Sequence, residues 1–250
     1  MPNFQEKPSA VITGGGTGIG LAIAERFLKE GWRAVVIGRR LDPLENLKRR
    51  QPEDVLVLQC DLTKPESVHE TYDLIAAEPR FNQVRCLVNN AGIYEKRAFK
   101  QTGDTLWQAM FETNLLGAVR MTRELLPLLE KHQGSIVNVS STLGLKPVDG
   151  TSAYSALKAA MINWTQTLAI ECARQNVRAN CICPGIVDTP IHAFHGQTED
   201  EKAASLGGLQ PLGRIGQPSD IAHGVWSLAG PGSEWITGSI LNVDGGIFLA

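Results

Sequence analysis

The sequence predicts an α/β fold in which one doubly wound, parallel, seven-stranded sheet carries helices on both faces. Short runs of β-branched residues alternate along the chain with longer amphipathic stretches, an order typical of parallel sheets. A glycine-rich segment directly follows the first run and opens the first helix. The 250 residues, 43% of them hydrophobic, suffice for one large core, so we expect a single domain spanning residues 1–250.

Short apolar runs predict the strands. They lie at residues 10–13, 34–37, 55–59, 86–89, 135–139, 177–182 and 240–243. Longer stretches with a helical period predict helices at residues 19–29, 66–77, 106–131, 153–174 and 219–228. Thr63, three residues before Glu66, predicts the N-cap of the second helix, and Pro218 predicts the start of the last.

The segment at about 188–216 interrupts this alternation. It is polar at residues 198–202 and glycine-rich at Gly207 and Gly208. Long irregular insertions in compact domains are usually functional or mobile. We therefore expect a helical excursion or lid beside a substrate site.

Composition and charge exclude several classes of partner. A net charge of −2 leaves no broad basic surface for nucleic acid. No segment approaches the ~20 apolar residues of a membrane span, and the first residues lack the apolar core of a signal peptide. We expect no membrane partner and a cytoplasmic protein. The five cysteines show no metal-ligand spacing, which predicts buried reduced thiols and no metal site.

Tyr154 and Lys158 form the most informative pair. Their spacing of four residues places both side chains on one face of a helix, about a turn apart. An ammonium group near a phenol favours the phenolate and lowers its pKa from the usual ~10. The same spacing also occurs in ordinary amphipathic helices, so its interpretation depends on the motifs that accompany it.

Four other motifs accompany the pair. Residues 13–20 read TGGGTGIG, residues 89–92 read NNAG, Asn114 lies in a predicted helix, and Ser140 and Ser141 follow a predicted strand. Together these motifs resemble the classical short-chain dehydrogenase/reductase family, from Ser9 onward. The resemblance implies a Rossmann fold and hydride transfer between a nicotinamide cofactor and a small-molecule carbonyl or alcohol substrate. It also implies pairing of the long helices between subunits, in a homotetramer or a dimer.

Two other interpretations of the function stay open, one a narrower activity and one a different class of protein. One is a 3-oxoacyl-[acyl-carrier-protein] reductase specifically. The other is a non-catalytic NAD(P)-binding sensor on the same fold, because a fold does not determine its function.

The resemblance assigns catalysis to Asn114, Ser141, Tyr154 and Lys158. Tyr154 exchanges the proton, while Lys158 lowers the pKa of Tyr154 and binds the nicotinamide ribose. Ser141, 13 residues before Tyr154, is chosen over Ser140 as the group that holds the substrate oxygen. Asn114 holds a water that links the lysine to solvent.

The glycine-rich segment is expected to approach the cofactor pyrophosphate, because glycines admit close backbone contact and a helix N-terminus favours negative charge. Gly38 stands where NAD-preferring members of the family usually carry Asp, and Arg39 stands where NADP-preferring members often carry a basic residue. This pattern favours NADP(H) over NAD(H), although Thr17 replaces the basic residue of many NADP enzymes. The expected cofactor contacts are Gly14, Gly16, Thr17, Gly18, Ile19, Gly20, Arg39, Asp61, Leu62, Asn90, Ala91, Gly92, Tyr154, Lys158, Pro184, Gly185, Val187 and Thr189.

The same resemblance predicts a mixed, partly apolar substrate pocket. Its expected lining is Tyr94, Leu143, Lys146, Val148, Ile186, Ile191 and His192. His192 and His195 lack a third ligand at a suitable spacing, so we expect surface histidines rather than a metal site.

Overall fold

The computed structural model describes residues 7–190, 201 and 206–250. Its strands are β1 Ser9–Thr13, β2 Arg33–Gly38, β3 Val55–Gln59, β4 Val84–Asn89, β5 Ser135–Val139, β6 Arg178–Pro184 and β7 Ile240–Val243. They form one seven-stranded sheet in the order β3-β2-β1-β4-β5-β6-β7, and every pairing is parallel. All the strands predicted from the sequence are present.

Helices cover both faces of this sheet. They are α1 Gly18–Lys29, α2 Leu41–Arg50, α3 Pro65–Ala77, α4 Asp104–Phe111, α5 Gly117–Lys131, α6 Ser152–Cys172 and α7 Pro218–Ala229. Helices α1, α2 and α7 pack on one face, and α3, α5 and α6 pack on the other. The predicted doubly wound α/β architecture is therefore confirmed.

Helix α2 is absent from the sequence prediction. Leu44 and Leu47 are its buried residues, and the helix ends in the basic residues 48–50, which by themselves resemble a solvated surface stretch. Two buried apolar positions give only a weak periodic signal. The helix is stabilised by packing against the core of the first three strands, a contact that the sequence does not display.

The long helix predicted at 106–131 is interrupted. Helix α4 ends at Phe111, a π-helical turn spans Glu112–Leu116, and α5 begins at Gly117. Within that turn, Asn114 is fully buried, and its amide accepts from the N–H of Ile93 at 2.7 Å and donates to the carbonyl of Ile93 at 2.8 Å. The wider turn is of the kind often found at functional sites.

The N-cap predicted at Thr63 is wrong. Lys64 occupies the N-cap of α3, and Pro65 begins the helix. Thr63 instead donates its backbone N–H and its hydroxyl to the Asp61 carboxylate, at 3.0 and 2.8 Å. These local bonds hold the Asp61 side chain in position just after β3.

Strand β1 is the point at which the chain changes direction across the sheet, since β2 and β4 flank it. The Thr13 hydroxyl, at the end of β1, donates to the Val88 carbonyl at 3.3 Å and accepts the N–H groups of Asn90 and Ala91 at 3.0 and 3.1 Å. The Asn90 amide donates in return to the Thr13 carbonyl at 2.9 Å. These bonds fasten the loop after β1 to the loop after β4, where open α/β sheets bind their ligands.

The segment at 188–216 leaves and re-enters the fold at adjacent points. The N–H of Asp188 donates to the Gly216 carbonyl, and the N–H of Gly216 donates to the Ile186 carbonyl, both at 2.9 Å. Residues 191–200 and 202–205 lie outside the described part of the chain, so the predictions for Ile191, His192, His195 and most of the polar stretch fall there.

The described part of the chain contains no helix with the length and apolar character of a membrane span. It also contains no group of three or more His, Cys, Asp or Glu side chains arranged to hold a metal ion. All five cysteines are free and buried.

Replacing Thr13 by Val is expected to destabilise the fold. The substitution keeps the side-chain shape but leaves the N–H groups of Asn90 and Ala91 without their acceptor, and a buried unpaired donor costs ~1–3 kcal/mol. The free energy of unfolding, measured by urea denaturation, should fall by an amount in that range. Thr13→Ser retains the hydroxyl and serves as the control, and an equal loss of stability in both variants would refute the role of these bonds.

Candidate active site

A cavity of about 1220 Å³ opens at the carboxyl ends of the central strands. Most residues predicted to bind a cofactor or to act in catalysis line it, namely Gly14, Gly16, Thr17, Gly18, Ile19, Arg39, Asp61, Leu62, Asn90, Ala91, Gly92, Ser141, Tyr154, Lys158, Pro184, Gly185, Val187 and Thr189. Gly20 and Asn114 do not line the cavity and lie behind its wall. The structure thus gathers motifs from the whole chain at one edge of the sheet.

The glycine-rich loop between β1 and α1 is too tightly packed for side chains. A Cβ on Gly20 would lie 2.2 Å from the Gly14 carbonyl oxygen and 2.6 Å from the Asn90 amide nitrogen. Gly18 has a φ of +53°, and a Cβ there would lie 3.2 Å from the side chain of Thr189. The loop therefore presents backbone at the N-terminus of α1, whose first turn carries no acidic residue. Such a cradle fits the negative charge of a pyrophosphate.

The far end of the cavity lies beside β2. Gly38 and Arg39 line it, and Arg39 is exposed. Asp61 faces them from the end of β3, and hydrogen bonding from Thr63 lowers the pKa of its carboxyl, with the charge of Arg39 acting in the same direction. Asp61 is therefore ionised and held in place, as a hydrogen-bond acceptor for a ligand should be.

Several lining residues at this end were not predicted from the sequence. Arg40, Pro43 and Leu44 belong to the start of α2 or directly precede it. The leucines at 41, 44 and 47 form a short helical repeat, which is the sequence signal for these residues. With α2 in place, the cavity has a second wall and a second arginine beside Arg39.

At the opposite end, α6 presents Tyr154 and Lys158 one turn apart. The Lys158 ammonium nitrogen lies 5.6 Å from the centroid of the Tyr154 ring and donates to the carbonyl of Val139 at 2.7 Å. The Ser141 hydroxyl accepts the N–H of Leu143 at 3.1 Å and is also hydrogen bonded with Tyr154. A serine hydroxyl, a phenol and an ammonium group thus meet in one corner of the cavity.

The two neighbouring serines have different surroundings. The Ser140 hydroxyl donates to the backbone carbonyl of Lys158 at 2.8 Å and is buried, so it fastens α6 to the end of β5. Ser141 is the serine that reaches Tyr154 and lines the cavity together with it. The geometry therefore favours Ser141 over Ser140 as the serine that faces a ligand, in agreement with the spacing in the sequence.

Burial dominates the electrostatics of this corner. It raises the pKa of the Tyr154 phenol, and the hydrogen bond with Ser141 lowers it by a smaller amount. Burial also lowers the pKa of Lys158 to about 8. The expectation that Lys158 lowers the pKa of Tyr154 is not met in this structure, because removal from water disfavours both charged forms.

Asn114 lies close behind Lys158. A Cβ on Gly92 would be 3.2 Å from the Asn114 side-chain oxygen and 4.0 Å from the Lys158 nitrogen. Both functional atoms of the Asn114 amide are engaged by the Ile93 backbone. Its expected role in holding a water stays a prediction, whereas its contact with the backbone before Tyr94 is a feature that the sequence did not reveal.

Comparisons with known sequences agree on one family. The sequence model of the short chain dehydrogenases matches residues 8–200. A putative ketoacyl reductase of Streptomyces coelicolor is 36% identical over 255 residues, covering 97% of this chain and 98% of the relative. The 3-oxoacyl-[acyl-carrier-protein] reductase of Homo sapiens is 35% identical over 239 residues, covering 95% of this chain and 97% of the relative.

Solved structures give the same result. An actinorhodin polyketide ketoreductase variant with NADPH is 34% identical, with a TM-score of 0.90 over 98% of this chain and 99% of that chain. ElxO with NADP bound is 30% identical, with a TM-score of 0.89 over 98% and 100% of the two chains. A 3-ketoacyl-(acyl-carrier-protein) reductase of Brucella melitensis complexed with NADH is 29% identical, with a TM-score of 0.88 over 97% and 99%.

The buried lysine should make stability depend on pH. With a folded pKa of about 8 and an unfolded pKa of ~10.4, Lys158 takes up a proton on unfolding between these values. The free energy of unfolding should therefore rise with pH across that interval. Lys158→Met removes this term, so the stability of the variant relative to the wild type should be greatest below pH ~8 and should decline toward pH ~10.

Urea denaturation at a series of pH values measures this difference. Lys131→Met, at an exposed position, is the control for loss of a lysine. A difference between Lys158→Met and the wild type that does not change with pH would contradict the burial of a titrating amine.

Proposed function

The chain belongs to the short-chain dehydrogenase/reductase family, and we propose that it is an NADP(H)-preferring member that interconverts a carbonyl group and a secondary alcohol. The chain is thus an NAD(P)-dependent oxidoreductase. The observation that carries the proposal is one continuous cavity with an arginine end at Arg39 and a hydroxyl and amine end at Ser141, Tyr154 and Lys158. The whole chain is proposed to form a single domain with a substrate excursion at about 188–216.

The lining of the cavity suits a dinucleotide phosphate. The glycine-rich backbone at the start of α1 suits the negative charge of the pyrophosphate. The Asp61 carboxylate can accept a hydrogen bond from the amino group of the adenine ring. Arg39 and Arg40 offer guanidinium donors to a 2′-phosphate, and Gly38 places no carboxylate against it. Two structural neighbours carry NADP or NADPH, while a third carries NADH, so the preference depends on these side chains.

When bound, the nicotinamide supplies or accepts the hydride. Tyr154, whose pKa burial raises, is protonated at neutral pH and is therefore placed to donate a proton to the oxygen of a carbonyl substrate. Ser141 donates a hydrogen bond to the same oxygen as negative charge develops there. Lys158 would hold the nicotinamide ribose.

The two alternatives differ in their support. Ketoacyl and 3-oxoacyl reductases among the relatives make β-ketoacyl thioesters reasonable first substrates. A non-catalytic sensor would have no need for a serine, a tyrosine and a lysine in one corner. An assay of NADPH oxidation against a panel of carbonyl compounds separates the sensor, which would oxidise none of them, from the reductase.

We also propose a homotetramer, or failing that a dimer. Large apolar side chains are exposed on α6 at Ile170, at Trp235 before the edge strand β7, and at Phe111 before α5. Such side chains are suited to contacts between copies of the chain. Light scattering would distinguish an assembly from a 27.1 kDa single chain.

Because all five cysteines are free and buried, a reducing compartment is suitable, and we propose the cytoplasm.

Replacement of Tyr154 by Phe tests the proposed chemistry. The variant retains the ring and its packing but loses the proton donor, so turnover should fall at least ~100-fold, as expected for a general acid. NADPH affinity, measured by fluorescence titration, should change little. Near-normal turnover of a verified carbonyl substrate would remove Tyr154 from the mechanism.

Cofactor preference is tested at the end of β2. A charge-assisted contact contributes ~1.5–3 kcal/mol, and the exposure of Arg39 points to the lower limit, which corresponds to roughly ten-fold tighter binding of NADPH than of NADH. A Cβ on Gly38 would lie 3.6 Å from Leu44, an ordinary contact, so Gly38→Asp should fold. Gly38→Asp combined with Arg39→Ser is expected to reverse the preference.

Titration of each protein with NADPH and NADH measures this preference. Arg49→Ser, at an exposed arginine of α2, is the matched control and should leave it unchanged. Equal or tighter binding of NADH by the wild type would show that Arg39 is only a surface charge.

A further inference from the structure

Tyr94 is one of the residues that line the cavity. The residue before it, Ile93, is pinned through both its N–H and its carbonyl by the buried Asn114. Three residues beyond it, the N–H of Arg97 donates to the Gly150 carbonyl at 2.8 Å. Tyr94 therefore lies on a short span of backbone that is hydrogen bonded on both sides.

The Tyr94 ring packs against the residue proposed to transfer the proton. The ring centroids of Tyr94 and Tyr154 lie 4.9 Å apart, with the ring planes at 78°, which is an edge-to-face pair. Both side chains line the cavity and are half-buried. Burial raises the pKa of Tyr94, so its ring is neutral at physiological pH. The Tyr94 ring therefore lies beside the group proposed to donate a proton to a carbonyl substrate.

Many of the other side chains that line the described part of the cavity are apolar. They include Ile93, Leu143, Val148, Ile186, Leu209 and Ile247. The charged side chains that follow Tyr94, Glu95 and Lys96, also line the cavity and are exposed. A substrate rich in hydroxyl groups would lose bonds to water against these walls, whereas an alkyl or aromatic body gains from burial.

We propose that Tyr94 is a specificity-determining residue that selects ketones with a flat or apolar body over polyhydroxylated ones. This inference rests on the proposed reductase function. The Tyr94 ring supplies one wall of the substrate subsite, against which a flat or apolar body can pack. Selection acts on binding, so it is expressed in KM more than in kcat.

The test compares an apolar ketone, tetralone, with a polar one, dihydroxyacetone, at saturating NADPH. The wild type should favour tetralone in kcat/KM. Tyr94→Ala should raise the KM for tetralone roughly ten-fold, the upper range for loss of one aromatic contact, and should change the KM for dihydroxyacetone less than about two-fold. Tyr94→Phe retains the ring and should restore the preference. Phe99→Ala is the matched control, because Phe99 is 72% exposed and lies outside this cavity.

A binding measurement separates this inference from the proposed function. Calorimetry with the NADPH complex of Tyr154→Phe reports tetralone affinity without turnover. Adding Tyr94→Ala to that variant should weaken tetralone binding roughly ten-fold. If no carbonyl compound is reduced but this difference persists, the reductase function fails and the role of Tyr94 stands. Equal effects on both ketones, or a wild-type preference for dihydroxyacetone, would overturn the inference.

Discussion

The contact between Thr13 and the loop after β4 is the constraint on which the rest of the site depends. One hydroxyl at the end of β1 engages three backbone groups of the neighbouring chain segment, and the amide of Asn90 returns a bond to the Thr13 carbonyl. Strands β1 and β4 are parallel neighbours, but the chain continues from β1 to β2 on one side and from β4 to β5 on the other. The loops after them would otherwise separate. The bonds hold the loop after β1 and the loop after β4 at a fixed distance from each other beside the crevice.

A chain of buried amides and hydroxyls extends this constraint to the catalytic corner. Asn89 donates to Thr122 of α5 at 3.0 Å and to the side chain of Asn138 at 2.8 Å, and Asn138 donates to Thr165 of α6 at 2.9 Å. Buried side chains that hydrogen bond to one another between strands and helices favour one arrangement of the helices on the sheet. Helix α6 is therefore positioned by β4 and β5 before Tyr154 and Lys158 make any contact with a ligand.

Burial then sets the chemistry of that corner. A lysine in this position is partly neutral near pH ~8, and a tyrosine beside it keeps its proton. Burial of the lysine costs stability below pH ~8, where its charged form predominates. The fold tolerates this cost because Lys158 donates to the Val139 carbonyl and Ser140 donates to the backbone carbonyl of Lys158. The site thus uses the same strand end to anchor α6 and to present Ser141 to the cavity.

The sequence by itself determined the order of strands and helices, the family and the motifs that line the cavity, because β-branched runs, glycine spacing and the Tyr154 and Lys158 pair are local patterns. It did not reveal α2 or the π turn around Asn114, because each depends on packing between distant segments. It also missed the true start of α3, because Thr63 bonds to Asp61 instead of capping the helix. The high pKa of Tyr154 also lay beyond it, since spacing places an ammonium beside a phenol but does not show how much water remains around them. Only the tertiary structure decided that burial outweighs charge at this site, and only it brought Tyr94 against Tyr154, 60 positions away along the chain.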